Sequence, residues 1–231
     1  MAITVMQRVE MKYLLTAAQT EFLREHLDGY MAADNYGKTT IASLYYDTPN
    51  FRLIRTSVEK PLFKEKMRLR AYGLADASSP VFLEMKRKAY DVVYKRRVQT
   101  TIPQAERFLS GGEDLGEGQI DREMTAFRDY YKTLVPTCLI LYDRTAYFAP
   151  DGDLRLTIDE CPRYRTDRLT LTDSLDGTPF FEDGQTIVEI KLEGAMPLWL
   201  ARILSAGKIK KSSFSKYGEA YSRCLVGAKA V

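Results

Sequence analysis

The sequence predicts an α+β protein whose main element is an eight-stranded antiparallel β-barrel, closed, with a polar cationic lumen and with helices packed outside. Eight segments alternate polar and apolar residues with the period of two that a β-strand imposes. In at least five of these segments, cations alternate with mostly apolar residues. Strongly amphipathic helices are few, so an open sheet would expose an unusual amount of charged strand surface.

The clearest strand is Lys64–Tyr72, in which Lys64, Lys66, Arg68 and Arg70 alternate with mostly apolar residues. Because successive side chains of a strand point to opposite sides, these four cations share one face. For a single strand, a polar face in contact with water explains the pattern equally well. Its recurrence along the chain favours a shared polar interior. In chain order, the predicted strands are Arg8–Leu15, Ala42–Tyr46, Lys64–Tyr72, Val81–Arg87, Val92–Thr101, Cys138–Tyr147, Leu154–Asp159 and Thr186–Leu192.

The predicted helices lie between these strands and at the end of the chain. Thr16 and Gln19 have the spacing of a capping box ahead of an apolar-periodic run to Leu27. Pro103 suits the first turn of a helix, where its missing N–H costs nothing. The remaining predicted helices follow apolar spacings of three and four residues. After the first, the predicted helices are Pro103–Leu109, Ile120–Leu134, Pro197–Leu204 and Lys216–Val226.

At 231 residues the length fits one large domain or two small ones, and the lack of a repeat, low-complexity tract or convincing linker predicts a single domain over residues 1–231. The two loosest stretches, 110–118 and 173–184, are each followed by renewed strand or helix periodicity, so neither is expected to be a domain boundary. The chain has no apolar run of about 18 residues, so no transmembrane helix is expected. Its first eight residues lack the features of a signal peptide. Three widely spaced cysteines form no metal or disulfide pattern, and together these features predict a cytoplasmic protein.

The predicted lumen needs an anion. Two cations about 6 Å apart repel each other by roughly 3 kcal/mol at an effective dielectric constant of 20. The net charge of the whole chain is only +3, so arrangement rather than total charge makes the interior cationic. The interspersed carboxylates Glu10, Glu84, Asp159 and Glu189 relieve part of this repulsion. Phosphate oxygens are natural partners for the remaining cations, so the lumen is predicted to be a phosphate site.

Several short motifs occur in order along almost the whole chain. They are Arg8-x-Glu10-x-Lys12-Tyr13, Ser43 to Thr48, Lys66-x-Arg68-x-Arg70-x-Tyr72-Gly73, Phe82 to Lys86, Lys95-x-Arg97, Tyr142-x-Arg144-x-Ala146-Tyr147, Arg155-x-Thr157-x-Asp159, Glu189-x-Lys191 and Phe214 to Tyr217. In these motifs the sequence resembles the polyphosphate polymerase domain of the vacuolar transporter chaperone (VTC) family. That family is part of the triphosphate tunnel metalloenzyme (CYTH-like) superfamily. Arg8 stands where tunnel triphosphatases typically have a first glutamate, which favours the polymerase branch.

The resemblance implies an enzyme that transfers the γ-phosphoryl group of ATP to a growing inorganic polyphosphate chain inside a tunnel, with Mn²⁺ or Mg²⁺ as cofactor. Glu189 is the implied principal metal ligand, with Glu84 or Glu10 as candidate additional ligands. The residues expected to act on the transferred phosphoryl group are Arg68, Arg70, Lys86, Arg144, Arg155 and Lys191. The residues expected to bind substrate phosphates are Lys12, Lys66, Lys95, Arg97, Tyr142, Ser215 and Lys216.

Other functions are weighed against this one. The chain has one histidine, His26, and no Walker-type glycine-rich loop, which argues against a catalytic triad and a P-loop enzyme. If water rather than polyphosphate attacks, the same site is a triphosphatase; without turnover it is a polyphosphate- or nucleotide-binding module. Nucleic acid is not an expected partner, because the cations alternate within strands instead of forming a surface stripe. The expected partners are ATP or another triphosphate and inorganic polyphosphate, and a membrane-protein partner is left open.

Overall fold

The computed structural model describes residues 8–90, 92–150 and 152–225. It shows an α+β fold with a large antiparallel sheet, as predicted, and six α-helices within the described residues. The strands are β1 (Arg8–Leu15), β2 (Ala32–Ala33), β3 (Thr39–Asp47), β4 (Phe63–Tyr72), β5 (Val81–Ala89), β6 (Val92–Thr100), β7 (Val135–Phe148), β8 (Arg155–Arg165), β9 (Thr178–Pro179), β10 (Thr186–Glu193) and β11 (Lys211–Ser212). The helices are α1 (Ala17–Leu27), α2 (Arg52–Val58), α3 (Ile102–Leu109), α4 (Gln119–Tyr131), α5 (Leu198–Ala206) and α6 (Lys216–Ala220), followed by a π-helical turn (Tyr221–Leu225).

The chain divides into two compact units, each assembled from three separate segments. Among the described residues, the first unit contains 8–40, 142–162 and 179–215, and the second contains 41–141, 163–178 and 216–225. Strands β7 and β8 contribute residues to both units. The prediction of a single domain over 1–231 stays a prediction.

The first unit has the strand order β11-β1-β10-β8-β7, with the C-terminal half of β7 at its end. Strands β1 and β10 pair antiparallel, and so do β10 and β8. Their apolar faces, with Leu15, Leu156 and Ile190, form a buried cluster with Leu23 of α1 and Leu200 of α5. The helices therefore cover the apolar side of this run of strands, and the charged side chains lie on its other face.

The second unit has the strand order β7-β3-β4-β5-β6, with the N-terminal half of β7 at its end. Antiparallel registers join β3 to β4, β4 to β5 and β5 to β6. Met67 and Leu83 on the apolar faces form a buried cluster with Phe108 of α3 and Met124 and Phe127 of α4. The alternation read from the sequence is confirmed here as well, with the lysines and arginines of β4 opposite the core.

The closure of the sheet into a barrel is not confirmed. Within each unit the described strands form an open run with one charged face. Closure requires hydrogen bonds between end strands that are far apart in sequence, and local alternation carries no information about such pairing.

Several boundaries differ from the predictions for identifiable reasons. Strand β8 continues to Arg165, six residues beyond the predicted end, past a backbone irregularity at Cys161 (φ 45°) that interrupts the alternation. Helix α2 was not predicted, because its N-cap residue, Phe51, offers no capping side chain. Helix α4 ends at Tyr131 rather than Leu134. The two-residue strands β2, β9 and β11 are too short to show periodicity. The predicted helix end at Val226 lies outside the described residues.

Within the ranges that the structure describes, no helix combines the length and apolar character needed to cross a membrane.

Helix α2 depends on a carboxylate that precedes it in the chain. Asp47 is fully buried and accepts hydrogen bonds from the backbone N–H groups of Thr48 (2.7 Å), Leu53 (2.8 Å) and Ile54 (2.9 Å). The Tyr217 hydroxyl donates a further hydrogen bond to it over 3.1 Å. Asp47 thus satisfies N–H groups in the first turn of α2, which the helix itself leaves without partners.

We predict that Asp47→Ala lowers the free energy of unfolding by about 3 kcal/mol, because it leaves several buried donors without an acceptor. Urea unfolding at neutral pH measures this loss. Asp47→Asn is the matched control, since it keeps an acceptor oxygen and should lose less. A loss for Asp47→Ala of under about 0.5 kcal/mol, the size of an ordinary surface substitution, would contradict this role.

Candidate functional site

Strand cations converge on two buried carboxylates, one in each unit. We call the group in the second unit the Glu84 cluster and the group in the first unit the Glu189 cluster. The Glu84 cluster consists of Glu84 with Arg68, Arg70, Lys95 and Arg97. The Glu189 cluster consists of Glu189 with Glu10, Lys12, Arg144, Asp159 and Lys191.

Strand register assembles the Glu84 cluster. Arg68 of β4 lies opposite Glu84 of β5, and Glu84 lies opposite Arg97 of β6. Residues opposite each other on paired strands point to the same face, with their Cβ atoms about 5 Å apart. The row is therefore a direct consequence of the alternation and the register together.

Both oxygens of Glu84 contact cations. Arg68 donates to Oε2 from Nε (2.8 Å) and Nη2 (2.7 Å), and Arg70 Nε lies 3.6 Å from the same oxygen. The Lys95 ammonium and Arg97 Nε each lie 2.7 Å from Oε1. The Glu84 side chain is only 2% exposed, so one almost fully buried carboxylate holds four positive groups.

Aromatic residues fix the orientation of the two outer guanidinium groups. The Tyr45 hydroxyl accepts a hydrogen bond from Arg68 Nη1 over 3.0 Å, and the Tyr72 hydroxyl accepts one from Arg97 Nη2 over 2.7 Å. Arg97 also lies 4.1 Å from the centre of the Phe82 ring, within cation–π distance. Sequence analysis placed Tyr45 and Tyr72 in family motifs but assigned them no role in the site.

The charges of the cluster stabilise one another. Burial alone would raise the pKa of Glu84, but the charges of Arg68 and Arg70 and the hydrogen bond from Lys95 hold it below its usual range. Burial lowers the pKa of Lys95, and the contact with Glu84 only partly offsets this. The Glu84 carboxylate is therefore ionised at neutral pH.

A second row of cations follows on the same face. Lys66, Lys86 and Lys95 lie opposite one another on β4, β5 and β6, and Lys64 lies opposite Lys88. Burial lowers the pKa of the Lys64 ammonium, and the charges of Lys88 and Lys86 lower it further. This part of the face therefore has a strongly positive potential.

The Glu189 cluster lies on β1, β7, β8 and β10. Lys12 lies opposite Glu189 in the β1–β10 register, and its ammonium is 2.9 Å from Glu189 Oε1 and 3.7 Å from Glu10 Oε1. Lys191 Nζ and Arg144 Nη2 lie 3.6 Å and 3.8 Å from Glu189 Oε2. Glu189 thus contacts cations through both of its oxygens, as Glu84 does.

Arg144 is held by a carboxylate that sequence analysis named as a counter-charge but not as a site residue. Asp159 is fully buried and accepts two hydrogen bonds from Arg144, 2.6 Å from Nε and 2.8 Å from Nη2. Arg144 also lies 4.9 Å from the centre of the Tyr142 ring. Burial alone would lower the pKa of Arg144, but Tyr142, Asp159 and Glu189 raise it well above the usual value. Its charge is therefore fixed at all ordinary pH values.

The remaining predicted residues occupy more open positions. Arg155 is exposed at the start of β8, opposite Lys191 of β10. Ser215 is exposed between β11 and α6, and Lys216 is the first residue of α6.

The donor set near Glu189 suits a divalent metal that also binds substrate. Glu10 and Glu189 approach the same Lys12 ammonium, so two carboxylates can reach one cation. Mg²⁺ and Mn²⁺ prefer oxygen ligands, and Mg²⁺ commonly takes one or two carboxylates with phosphate and water oxygens completing its shell. Among the described residues, no group of three or more Asp, Glu, His or Cys side chains could hold a metal ion. The expected metal therefore fits here when phosphate oxygens provide further ligands.

A comparison with protein-family models matches residues 7–225 to the VTC domain. The chain belongs to the VTC domain family. The resemblance read from the sequence motifs is confirmed, and the match covers segments of both compact units of this VTC domain. A comparison with curated protein sequences found no match.

Solved structures show the same fold at low sequence identity. A candidate adenylate cyclase from Bacillus halodurans has a TM-score of 0.56 and 16% identity over 90% of this chain and 93% of its own. A candidate adenylyl cyclase from Hippeastrum, described as having a dominant triphosphatase activity, has a TM-score of 0.54 and 18% identity over 97% of this chain and 98% of its own. This VTC domain therefore shares the fold of these two structures.

We predict that the stability contributed by Glu84 depends on pH. Its pKa is lower in the folded protein than in an unfolded chain, where a glutamate has a pKa of about 4.3. The contribution is therefore complete above that value and is lost as the pH falls through and below it. The difference in free energy of unfolding between the wild type and Glu84→Gln should be constant from pH 6 to 8 and should shrink steadily below about pH 4.3.

Urea unfolding across this pH range tests the prediction. Glu25→Gln, at an exposed position of α1, is the matched control and should track the wild type throughout. A difference between the wild type and Glu84→Gln that does not change with pH would show that the charge of Glu84 is not what stabilises the fold.

Proposed function

We propose that this VTC domain is a metal-dependent phosphotransferase that moves the γ-phosphoryl group of ATP, or of another nucleoside triphosphate, to the end of an inorganic polyphosphate chain. The observation that carries the proposal is the organisation of arginines and lysines around single buried carboxylates. Such preformed groups of fixed cations suit a ligand with several closely spaced phosphates.

Phosphoryl transfer requires positioning and charge stabilisation more than covalent catalysis by the protein. Arginine binds phosphate oxygens through a planar fork of N–H donors, and lysine provides a mobile point charge. In the Glu189 cluster, Arg144 and Lys12 would bind and orient phosphate oxygens while Asp159 keeps the Arg144 guanidinium in place. In the Glu84 cluster, Arg68, Arg70 and Lys95 provide a further set of phosphate-binding groups.

Glu189 and Glu10 are the residues proposed to hold the metal, either Mn²⁺ or Mg²⁺. When bound, such an ion neutralises charge on the phosphate oxygens and polarises the bond to the leaving group. Lys12 contacts both carboxylates, so it also determines how much of their charge remains available. Arg155 and Lys191, opposite each other on β8 and β10, are proposed as further phosphate contacts of the same unit. Tyr142, Lys66, Lys86, Arg97, Ser215 and Lys216 are proposed to line the path of the substrate.

Hydrolysis is the second candidate function. The Hippeastrum structure, which shares the fold, is described as having a dominant triphosphatase activity. In that reaction water would attack in place of the terminal phosphate of polyphosphate, with the same cations and the same metal ligands. The proposed partners are ATP or another triphosphate and inorganic polyphosphate. A membrane-protein partner and a cytoplasmic location stay predictions.

One assay separates these functions. The purified protein is incubated with ATP and Mn²⁺, and the products are analysed by gel electrophoresis for polyphosphate and by a colorimetric assay for free phosphate. We expect polyphosphate chains and ADP. Free phosphate without chains would favour the triphosphatase, and binding of ATP without turnover would leave only a binding module.

We predict that Arg68→Ala and Glu189→Ala each lower kcat/KM for polyphosphate synthesis by at least about 100-fold, the usual cost of removing a group that stabilises transition-state charge. Arg107→Ala is the matched control, because Arg107 lies on α3 and pairs with the exposed Glu113. Thermal unfolding verifies that each variant is folded. Synthesis at the wild-type rate by either site variant would show that the cluster concerned does not act in the reaction.

A further inference from the structure

Glu84 occupies a setting that disfavours metal ligation. Each of its oxygens already has two cationic neighbours, at 2.7 Å for Lys95 and Arg97 and at 2.7 to 3.6 Å for Arg68 and Arg70. A divalent ion bound to either oxygen would sit about 2.1 Å from it and so directly against these positive groups. Like charges at such separations repel strongly in a site that is shielded from water.

Glu189 provides the contrast within the same chain. Lys12 lies 2.9 Å from one of its oxygens, and Lys191 and Arg144 lie 3.6 Å and 3.8 Å from the other. A second carboxylate, Glu10, approaches the same Lys12 ammonium. Both glutamates therefore lie at the centre of a cationic strand face, but their surroundings differ.

We infer that Glu84 is the built-in counter-anion of the Glu84 cluster: it holds four cations together when no phosphate is bound, and it limits the affinity of the cluster for polyanions so that they can leave. The inference rests on the proposed function and deepens it. It makes Glu84 a positioning residue rather than a metal ligand.

The inference predicts that removal of the Glu84 charge raises the affinity for polyanions. Replacing Glu84 by Gln keeps the volume and one acceptor oxygen but removes the negative charge. The unbound cluster then lacks the carboxylate that contacts all four cations, whereas bound phosphate supplies negative charge to the same cations. The substitution therefore destabilises the unbound protein more than the ligand-bound protein, so the variant should bind polyanions more tightly.

A metal ligand predicts a different result when Mn²⁺ is present. Loss of a carboxylate that coordinates Mn²⁺ would remove most of the affinity that the metal adds, whereas loss of a negative charge strengthens phosphate binding in EDTA in either role. Binding with and without metal therefore separates the two roles.

The experiment is a calorimetric titration of the full chain with inorganic tripolyphosphate, first in EDTA and then with Mn²⁺, at several salt concentrations. For Glu84→Gln in EDTA and low salt we expect binding at least about fivefold tighter than the wild type, with a steeper dependence on salt. We also expect a lower unfolding temperature without ligand and a larger increase on adding tripolyphosphate. For Glu84→Gln, the factor by which Mn²⁺ raises the affinity for tripolyphosphate should stay within about twofold of the wild-type factor.

Glu189→Gln is the matched control, and it should lose most of the gain in affinity from Mn²⁺. Glu84→Asp is a second variant in case Glu84→Gln does not fold. Its shorter carboxylate cannot reach all four cations at once, so we expect a smaller tightening of about twofold.

Two outcomes would overturn the inference. One is binding of tripolyphosphate by the folded Glu84 variants in EDTA that is equal to or weaker than that of the wild type. The other is a loss of the Mn²⁺ gain in Glu84→Gln as large as that in Glu189→Gln. Absence of binding by the wild type itself would instead overturn the proposed function, and with it this inference.

Discussion

Repulsion between cations that share a strand face is the constraint on which the rest of the structure depends. In each unit, the apolar side chains of the strands pack against helices, which leaves the lysines and arginines together on the other face. Like charges this close would destabilise a domain whose net stability is only about 5–15 kcal/mol. Glu84 and Glu189 remove much of this cost because each lies at the centre of a group of cations. Substitution of either carboxylate therefore affects folding and ligand binding together.

The two carboxylates share this task but differ in what else they can do. Because four cations contact the two oxygens of Glu84, its inferred role is structural and electrostatic. Glu189 has a carboxylate neighbour, Glu10, across Lys12, which suits the proposed exchange of ammonium for a divalent ion. Nearby, Asp159 binds Arg144 through two hydrogen bonds and so keeps this guanidinium fixed. A chemistry that relies on positioned charge rather than on a nucleophilic side chain is consistent with this division of roles.

The sequence predicted correctly those features that depend on neighbouring residues alone. Period-two alternation predicted the long strands and the residues that share a face with Arg68 and Glu189, because the side-chain direction in a strand depends only on position. It did not predict α2, whose first turn is capped by Asp47 at the end of β3 rather than by its N-cap residue, or the extension of β8 beyond the irregularity at Cys161. Alternation also cannot specify register, so it could not show that Glu84 lies between Arg68 and Arg97. The different surroundings of Glu84 and Glu189 depend on that register and became visible only in the folded structure.

The most direct test of the account is a crystal structure of the protein with tripolyphosphate and Mn²⁺, with the metal located by its anomalous scattering. The account predicts phosphate oxygens within hydrogen-bond distance of cluster arginines such as Arg68 or Arg144, and an Mn²⁺ peak beside Glu189 and Glu10. An Mn²⁺ ion coordinated by Glu84, or a polyanion bound away from both clusters while their internal ion pairs stay intact, would contradict it.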